Sequence, residues 1–226
     1  MPGPKSHYLA VFFVLALIPL LAYGLVATSD GRSIDEALSR HTPPPAPAFD
    51  LPLLETDPSL SFRPRGKFES FAAGGSISSG EIRGHPLVLN FWASWCGPCR
   101  HEAPMLERSR RKLRRQGVVF VGLDMEDDLP GEATQFAKEF NLSYPIVRDA
   151  GGDVADGYGV RVVPETFFVD AGGNVVAHSL GALDATQLRA GVEAAVKGKL
   201  LGTFTGDDYS SEPVPTNPKS SQGASR

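Results

Sequence analysis

Uncharged stretches alternate with amphipathic ones along the chain, and the period of each predicts an element. The first stretch is long. From Tyr8 to Ser29 no side chain is charged, and YLAVFFVLALIPLLAYGLVA has the roughly twenty residues that a helix needs to span the hydrocarbon core of a bilayer. An uncleaved membrane anchor over 1–29 is expected, because the run is longer than the apolar part of a signal peptide, although Ala22 and Gly24 offer small residues at a cleavage site. Lys5 on one side and Arg32 and Arg40 on the other leave the orientation undecided by charge.

Beyond the anchor, short apolar runs and helical stripes take turns. PLVLNFWA (Pro86 to Ala93) and GVVFVGLDM (Gly117 to Met125) are continuous apolar runs of strand length, the pattern of strands buried on both faces. Between them Pro98 to Gln116 has the length of a helix, opened by a proline in its first turn and closed by Gly117. Ala133, Phe136, Ala137 and Phe140 recur at i, i+3, i+4 and i+7, the stripe of a second helix, with a short strand to follow at Tyr144 to Val147. ETFFVD and NVVAHSL flank the turn AGG as a hairpin, and Leu188, Val192 and Val196 mark a closing helix. The order βαβαβ followed by ββα predicts an α/β fold, a mixed central sheet with helices on both faces.

Composition changes the picture at the ends. RHTPPPAPAF favours extended polyproline II, so 30–47 is expected to be a Pro-rich linker. TFTGDDYSSEPVPTNPKSSQGASR is polar and rich in Pro and Ser, so 201–226 is expected to be a disordered tail, with the folded domain over 48–200. The glycine cluster AAGGSISSG is expected to be a loop joining a short N-terminal hairpin to the main fold. With 42% apolar and 21% charged residues the chain has a core, and a net charge of −4 removes nucleic acid as a partner.

The candidate chemistry sits in NFWASWCGPCRHEAP, which holds both cysteines of the chain. A disulfide closing so small a loop stabilises a fold by only roughly 2 kcal/mol, little use to a chain with this much core. A structural zinc needs four Cys or His ligands, and the five histidines form no second paired cluster. A redox role fits the placement better. Between a strand and a helix, Cys96 falls at a helix N-terminus, where unpaired N–H groups and the helix dipole favour the thiolate, and Cys99, one turn in and less accessible, is the thiol that resolves a mixed disulfide. Trp92 is expected in the core and Trp95 at the rim of a partner groove. RSRRKLRRQ (Arg108 to Gln116) is expected to be a solvated helix face, and His178 a packed or surface histidine.

FWASWCGPC resembles the active-site strand and turn of thioredoxins, and CGPCRHEAPML is similar more narrowly to the TlpA/ResA/CcmG (DsbE) family of membrane-tethered thiol-disulfide oxidoreductases. APAFDLPLL and YGVRVVPETFFVDAGGNVVAHSLGAL resemble other parts of that family, so the likeness covers about Ala46 to Leu200. It implies a thioredoxin-like fold behind one transmembrane helix, a catalytic domain on the extracytoplasmic side of the cell membrane, and no cofactor or metal. It implies disulfide-bearing clients, apocytochrome c among them, and a membrane electron donor of thiol-disulfide type. Pro164 matches the cis-proline that faces the cysteine pair and leaves the backbone of Val163 free to pair with an extended client. Glu102 matches an acidic position of the tethered family. Asn90 stands where cytoplasmic thioredoxins carry a buried acid, and asparagine cannot move a proton, so Glu102 is the candidate proton carrier. The catalytic residues expected are thus Cys96, Cys99, Glu102 and Pro164. Gly97-Pro98 between the cysteines is the dipeptide of general thioredoxins, which leaves the direction of electron flow open between a reductase and a disulfide-introducing oxidase. General disulfide repair and a non-catalytic client-docking or copper-handling module are the other readings.

The anchor makes its own prediction. Full-length protein should stay with membranes through carbonate extraction and keep Met1 or Pro2 at its N-terminus; a soluble product beginning near Leu25 would identify a cleaved signal instead.

Overall fold

The computed structural model describes residues 32–54, 75–125 and 130–206. The anchor expected over 1–29 and the tail beyond 206 lie outside the described residues. Among those described, no helix is long and apolar enough to cross a membrane.

The two long apolar runs are the central strands. β3 (Leu87–Trp92) and β4 (Val119–Asp124) are buried at every position and pair in parallel. The crossover between them is α3 (Gly97–Leu113), extended by a 3-10 turn at Arg114–Gln116 and ended by Gly117 at φ 78°, a left-handed conformation that a Cβ would disfavour. α4 (Pro130–Glu139) leads to β5 (Ile146–Arg148), which pairs in parallel with β4. A further short helix, α5 (Asp153–Tyr158), carries the chain to β6 (Glu165–Val169); the apolar pattern did not single it out, since six residues span too few turns to show a period. β6 and β7 (Val175–Leu180) form the expected hairpin, and α6 (Ala185–Lys197) closes the predicted set with a capping box at Asp184 and Gln187. Among the described residues the main sheet has the order β5-β4-β3-β6-β7-β8, where β8 is the strand Gly202–Thr205, with β6 antiparallel to β3.

Alternation along β3 divides the core. Val88 and Trp92 join side chains of α3, α4 and α6 on one face, where Trp92 stacks on Phe136 at 4.3 Å. Leu87, Leu89 and Phe91 face the other way, toward Ile34, Ile82, Ala155 and Tyr158. The mixed sheet with helices on both faces is therefore as expected.

Three boundaries differ from the sequence reading. The stretch 30–47 is not a free linker, because α1 (Arg32–Ser39) begins the domain and buries Ile34 and Leu38, one helical turn apart, against the sheet. After it Pro45 bridges to Asn174, and the N–H of Val175 donates to the carbonyl of Pro44 at 2.8 Å, so the prolines run along the sheet rather than away from it. The glycine cluster contains a strand: β2 (Ser76–Ser78) pairs antiparallel with β1 (Asp50–Pro52), held by the buried Ile77, and leads directly into the short helix α2 (Ser79–Ile82). The tail expected from 201 begins with β8 (Gly202–Thr205), which adds to β7 in parallel and packs Phe204 against the core. Its alternating exposure explains why polar composition concealed it: a half-exposed edge strand needs only one apolar side chain.

Helix α6 approaches the sheet so closely that Gly191 has no room to spare. A Cβ built there would lie 2.4 Å from Cζ of the fully buried Phe168. Gly191→Ala should cost about 1–3 kcal/mol through overpacking, seen as a lower urea midpoint with an unchanged slope; an unaltered midpoint would show that α6 slides freely on β6.

Candidate active site

The site is assembled where β3 ends and β6 begins. Antiparallel pairing sets Phe91 opposite Glu165, so the chain leaving β3 toward α3 passes the turn that precedes β6. Cys96 stands just before the first residue of α3, and a disulfide joins it to Cys99 with 5.2 Å between the Cα atoms. The N–H of Cys99 points at Cys96 Sγ at 3.1 Å, one of the first-turn donors that have no partner within a helix. Opposite, the Val163-Pro164 peptide is cis, and the Val163 carbonyl oxygen lies 3.6 Å from Cys96 Sγ.

Exposure at this point is sharply divided. Cys96 and Cys99 are buried at 3% and 2%, so the greater accessibility expected of Cys96 is not present in the disulfide form; the turn around Val163 covers one sulfur and the helix the other. Their neighbours are open: Trp95 is 59% exposed and Val162 63%, two apolar side chains flanking the disulfide. Trp95 thus lies at the rim as expected, while Val162 escaped notice because a valine two residues before a proline carries no signal of exposure.

Glu102 is the second feature. It is 2% exposed, on the second turn of a helix that also buries Cys99, Ala103, Leu106 and Glu107. Asn90 Nδ2 donates to one carboxyl oxygen at 2.8 Å and the N–H of Leu183 to the other at 2.8 Å. Asn90 donates also to Thr166 Oγ1 at 3.0 Å, tying β3, α3 and β6 together beneath the disulfide. Burial pushes the carboxyl up to about 7, against the two hydrogen bonds that favour its charged form. A group titrating at neutrality can both take and give a proton there. Asn90 and Glu102 are thus in direct contact, a pairing that the sequence did not show.

Elsewhere the sequence reading needs correction. The basic run is not simply a solvated face: Arg111 pairs with Glu107, and Arg110 donates to Ser143 Oγ at 2.9 Å, fastening α3 to the segment after α4. His178 is packed, one of the two settings expected of it, but its partners were not foreseen. It is buried between Asp35 and Glu165, two acids that sequence spacing could not associate with it because they lie 143 and 13 residues away.

With this geometry in view, residues 45–178 match the AhpC/TSA family. The chain belongs to that family. It is 33% identical over 175 residues to thiol:disulfide interchange protein DsbE of Pseudomonas fluorescens biotype C, covering 75% of this chain and 86% of the relative. Thiol-disulfide oxidoreductase ResA of Bacillus thuringiensis subsp. konkukian is 32% identical over 115 residues, 51% of this chain and 66% of that one. Among solved structures, that of a Chlorobium tepidum protein described as thiol:disulfide interchange protein DsbE superposes with a TM-score of 0.55 at 26% identity, covering 68% of this chain and 96% of the other. The AhpC/TSA-family chain is thus a thioredoxin-like thiol-disulfide oxidoreductase of the DsbE and ResA kind.

The buried carboxyl gives a pH prediction. Because Glu102 titrates near 7 in the folded protein and at 4.5 by its ordinary value, the folded state holds the additional proton between these limits. Its contribution is complete below the unfolded value and is lost as pH rises through the folded one, a decline of about 3 kcal/mol. Unfolding in urea at pH 4.5 and pH 8.5 should show the oxidised wild-type protein losing that much more than Glu102→Gln; equal losses would mean that the carboxyl is hydrated.

Proposed function

We propose that this protein is a membrane-tethered reductase acting on cysteine pairs of exported proteins on the extracytoplasmic side, with apocytochrome c as client. The observation that carries the reading is the redox-active pair at the start of α3, facing the Val163 carbonyl and flanked by exposed Trp95 and Val162. Such a surface suits an extended, apolar segment that carries its own disulfide. The naming of its relatives as thiol:disulfide interchange and ResA proteins agrees with this chemistry.

In the reduced protein the Cys96 thiolate attacks one sulfur of the client disulfide. A bond forms between Cys96 and that sulfur, and the second client sulfur leaves as a thiolate, which takes a proton from solvent. Pairing of the client backbone with Val163 holds this mixed disulfide in line. Cys99 then attacks the Cys96 sulfur, its proton passing to Glu102, and the first client sulfur departs as a thiolate. The client gains two electrons and the pair Cys96–Cys99 loses two, so a thiol-disulfide donor must reduce the pair before another cycle. Three acids or bases are not required: one carboxyl titrating near neutrality serves the resolving step.

The test has two readings. Cys99→Ala should accumulate a mixed disulfide through Cys96, and Glu102→Gln should slow its resolution about 100-fold at pH 7. Equilibration with dithiothreitol should give a reduction potential at or below about −220 mV, on the reductant side of the known range. A value near about −120 mV would make the protein an oxidant and overturn the proposed direction.

A further inference from the structure

Beneath the sheet, on the face opposite α3, one imidazole connects the start of the domain to the turn that faces the disulfide. His178 is 3% exposed on β7 and stacks on its cross-strand partner Phe167 with the ring centroids 3.9 Å apart. Its Nδ1 lies 2.8 Å from Asp35 Oδ1 on α1, and its Nε2 lies 2.9 Å from Glu165 Oε2 at the start of β6. The same oxygen of Asp35 accepts from the Thr203 hydroxyl of β8 at 2.6 Å. The other oxygen of Glu165 accepts from the N–H groups of Arg161 and Val162 at 3.2 and 3.4 Å. An unbroken line of contacts therefore runs from α1 to the two residues before Val163.

The chemistry of this line depends on a proton. A neutral imidazole has one N–H and one lone pair, and a lone pair set against a carboxylate oxygen at less than 3 Å is repulsive; an imidazolium donates at both nitrogens and satisfies both acids. Among the described residues, the titratable groups that meet the ring are Asp35 from α1 and Glu165 from β6, while β8 contributes Thr203 through Asp35 and α5 meets Phe167 with Tyr158. The Arg161 guanidinium turns away to Asp156 at 2.8 Å.

We propose that Asp35, His178 and Glu165 are positioning residues for client binding, a relay that holds residues 161–163 against Cys96 while both ring nitrogens carry protons and slackens when one is lost. The proposal rests on the reading of this turn as the client groove. Burial disfavours the charged ring, but the hydrogen bonds it donates to Asp35 and Glu165 outweigh it, and His178 is held above its ordinary value of 6.5. The bond from His178 in turn keeps Asp35 below the usual carboxylate range despite its partial burial. The relay is therefore complete below pH 6.5 and lost as pH rises through the raised value. Asp35→Asn replaces a carboxylate by an amide that can donate to a neutral ring, so it keeps the contact while removing the need for the second proton.

Two measurements on the full-length oxidised and cycling protein test this. In nitrogen-15 spectra between pH 6 and 10, both His178 ring nitrogens should be protonated at the acid end, and the Arg161 and Val162 amide signals should move with the midpoint of the ring. That shared movement should vanish in Asp35→Asn and in His178→Gln. With dithiothreitol as reductant, kcat/KM for a disulfide-bonded C-x-x-C-H peptide divided by that for hydroxyethyl disulfide should fall about tenfold through the same midpoint, mostly in KM, and stay level in Asp35→Asn. The ratio cancels the ionisation of Cys96 itself. Amides that ignore the ring titration, or a ratio that falls equally in Asp35→Asn, would overturn the relay. If neither disulfide is reduced, the functional reading fails, and the ring and amide spectra still decide the relay.

Discussion

The antiparallel pairing of β3 with β6 is the constraint on which the site depends. β3 ends five residues before α3 begins at Gly97, and β6 begins one residue after the cis-proline. Register alone sets Phe91 opposite Glu165 and Asn90 opposite Thr166, which brings the two loops together and leaves the Val163 carbonyl over Cys96. Since both strands are buried at every position, a slip by one residue would turn the side chains of each to the wrong face and separate the cysteines from the turn. The chemistry is thus borrowed from the rigidity of the sheet.

Polar groups buried around that pairing divide by face. On the α3 side Glu102 accepts from two neutral donors, and burial drives its carboxyl toward the protonated form against them. On the opposite side Glu165 meets an imidazole and two backbone N–H groups. Two glutamates of similar burial therefore meet different partners: one a side-chain amide and a backbone N–H beneath the disulfide, the other an imidazole and the backbone of a turn. Environment, more than residue type, separates them.

The ends of the domain carry a similar lesson. α1 and β8 fall in stretches whose composition resembles spacer and tail, yet they meet on the sheet through Asp35 and Thr203. Ile34, Leu38 and Phe204 supply the apolar contacts that hold them there. A composition window averages over such sparse anchors, whereas the folded chain needs only one or two per element.

What the sequence by itself determined was everything written in local periodicity and local chemistry. The apolar runs of β3 and β4, the stripes of α4 and α6, the hairpin of β6 and β7 and the strand-to-helix junction carrying Cys96 and Cys99 follow from side-chain period and from the unpaired donors of a helix start. The Gly-Pro pair between the cysteines was likewise visible and marks the helix start at once. Only the tertiary structure decided which other distant groups meet: Asp35 with His178 across 143 residues, and Leu183 with Glu102 across 81. The physical reason is that a contact between remote residues is set by sheet order and strand register, which depend on the burial of every strand together and leave no period or spacing in the chain that a local reading could detect.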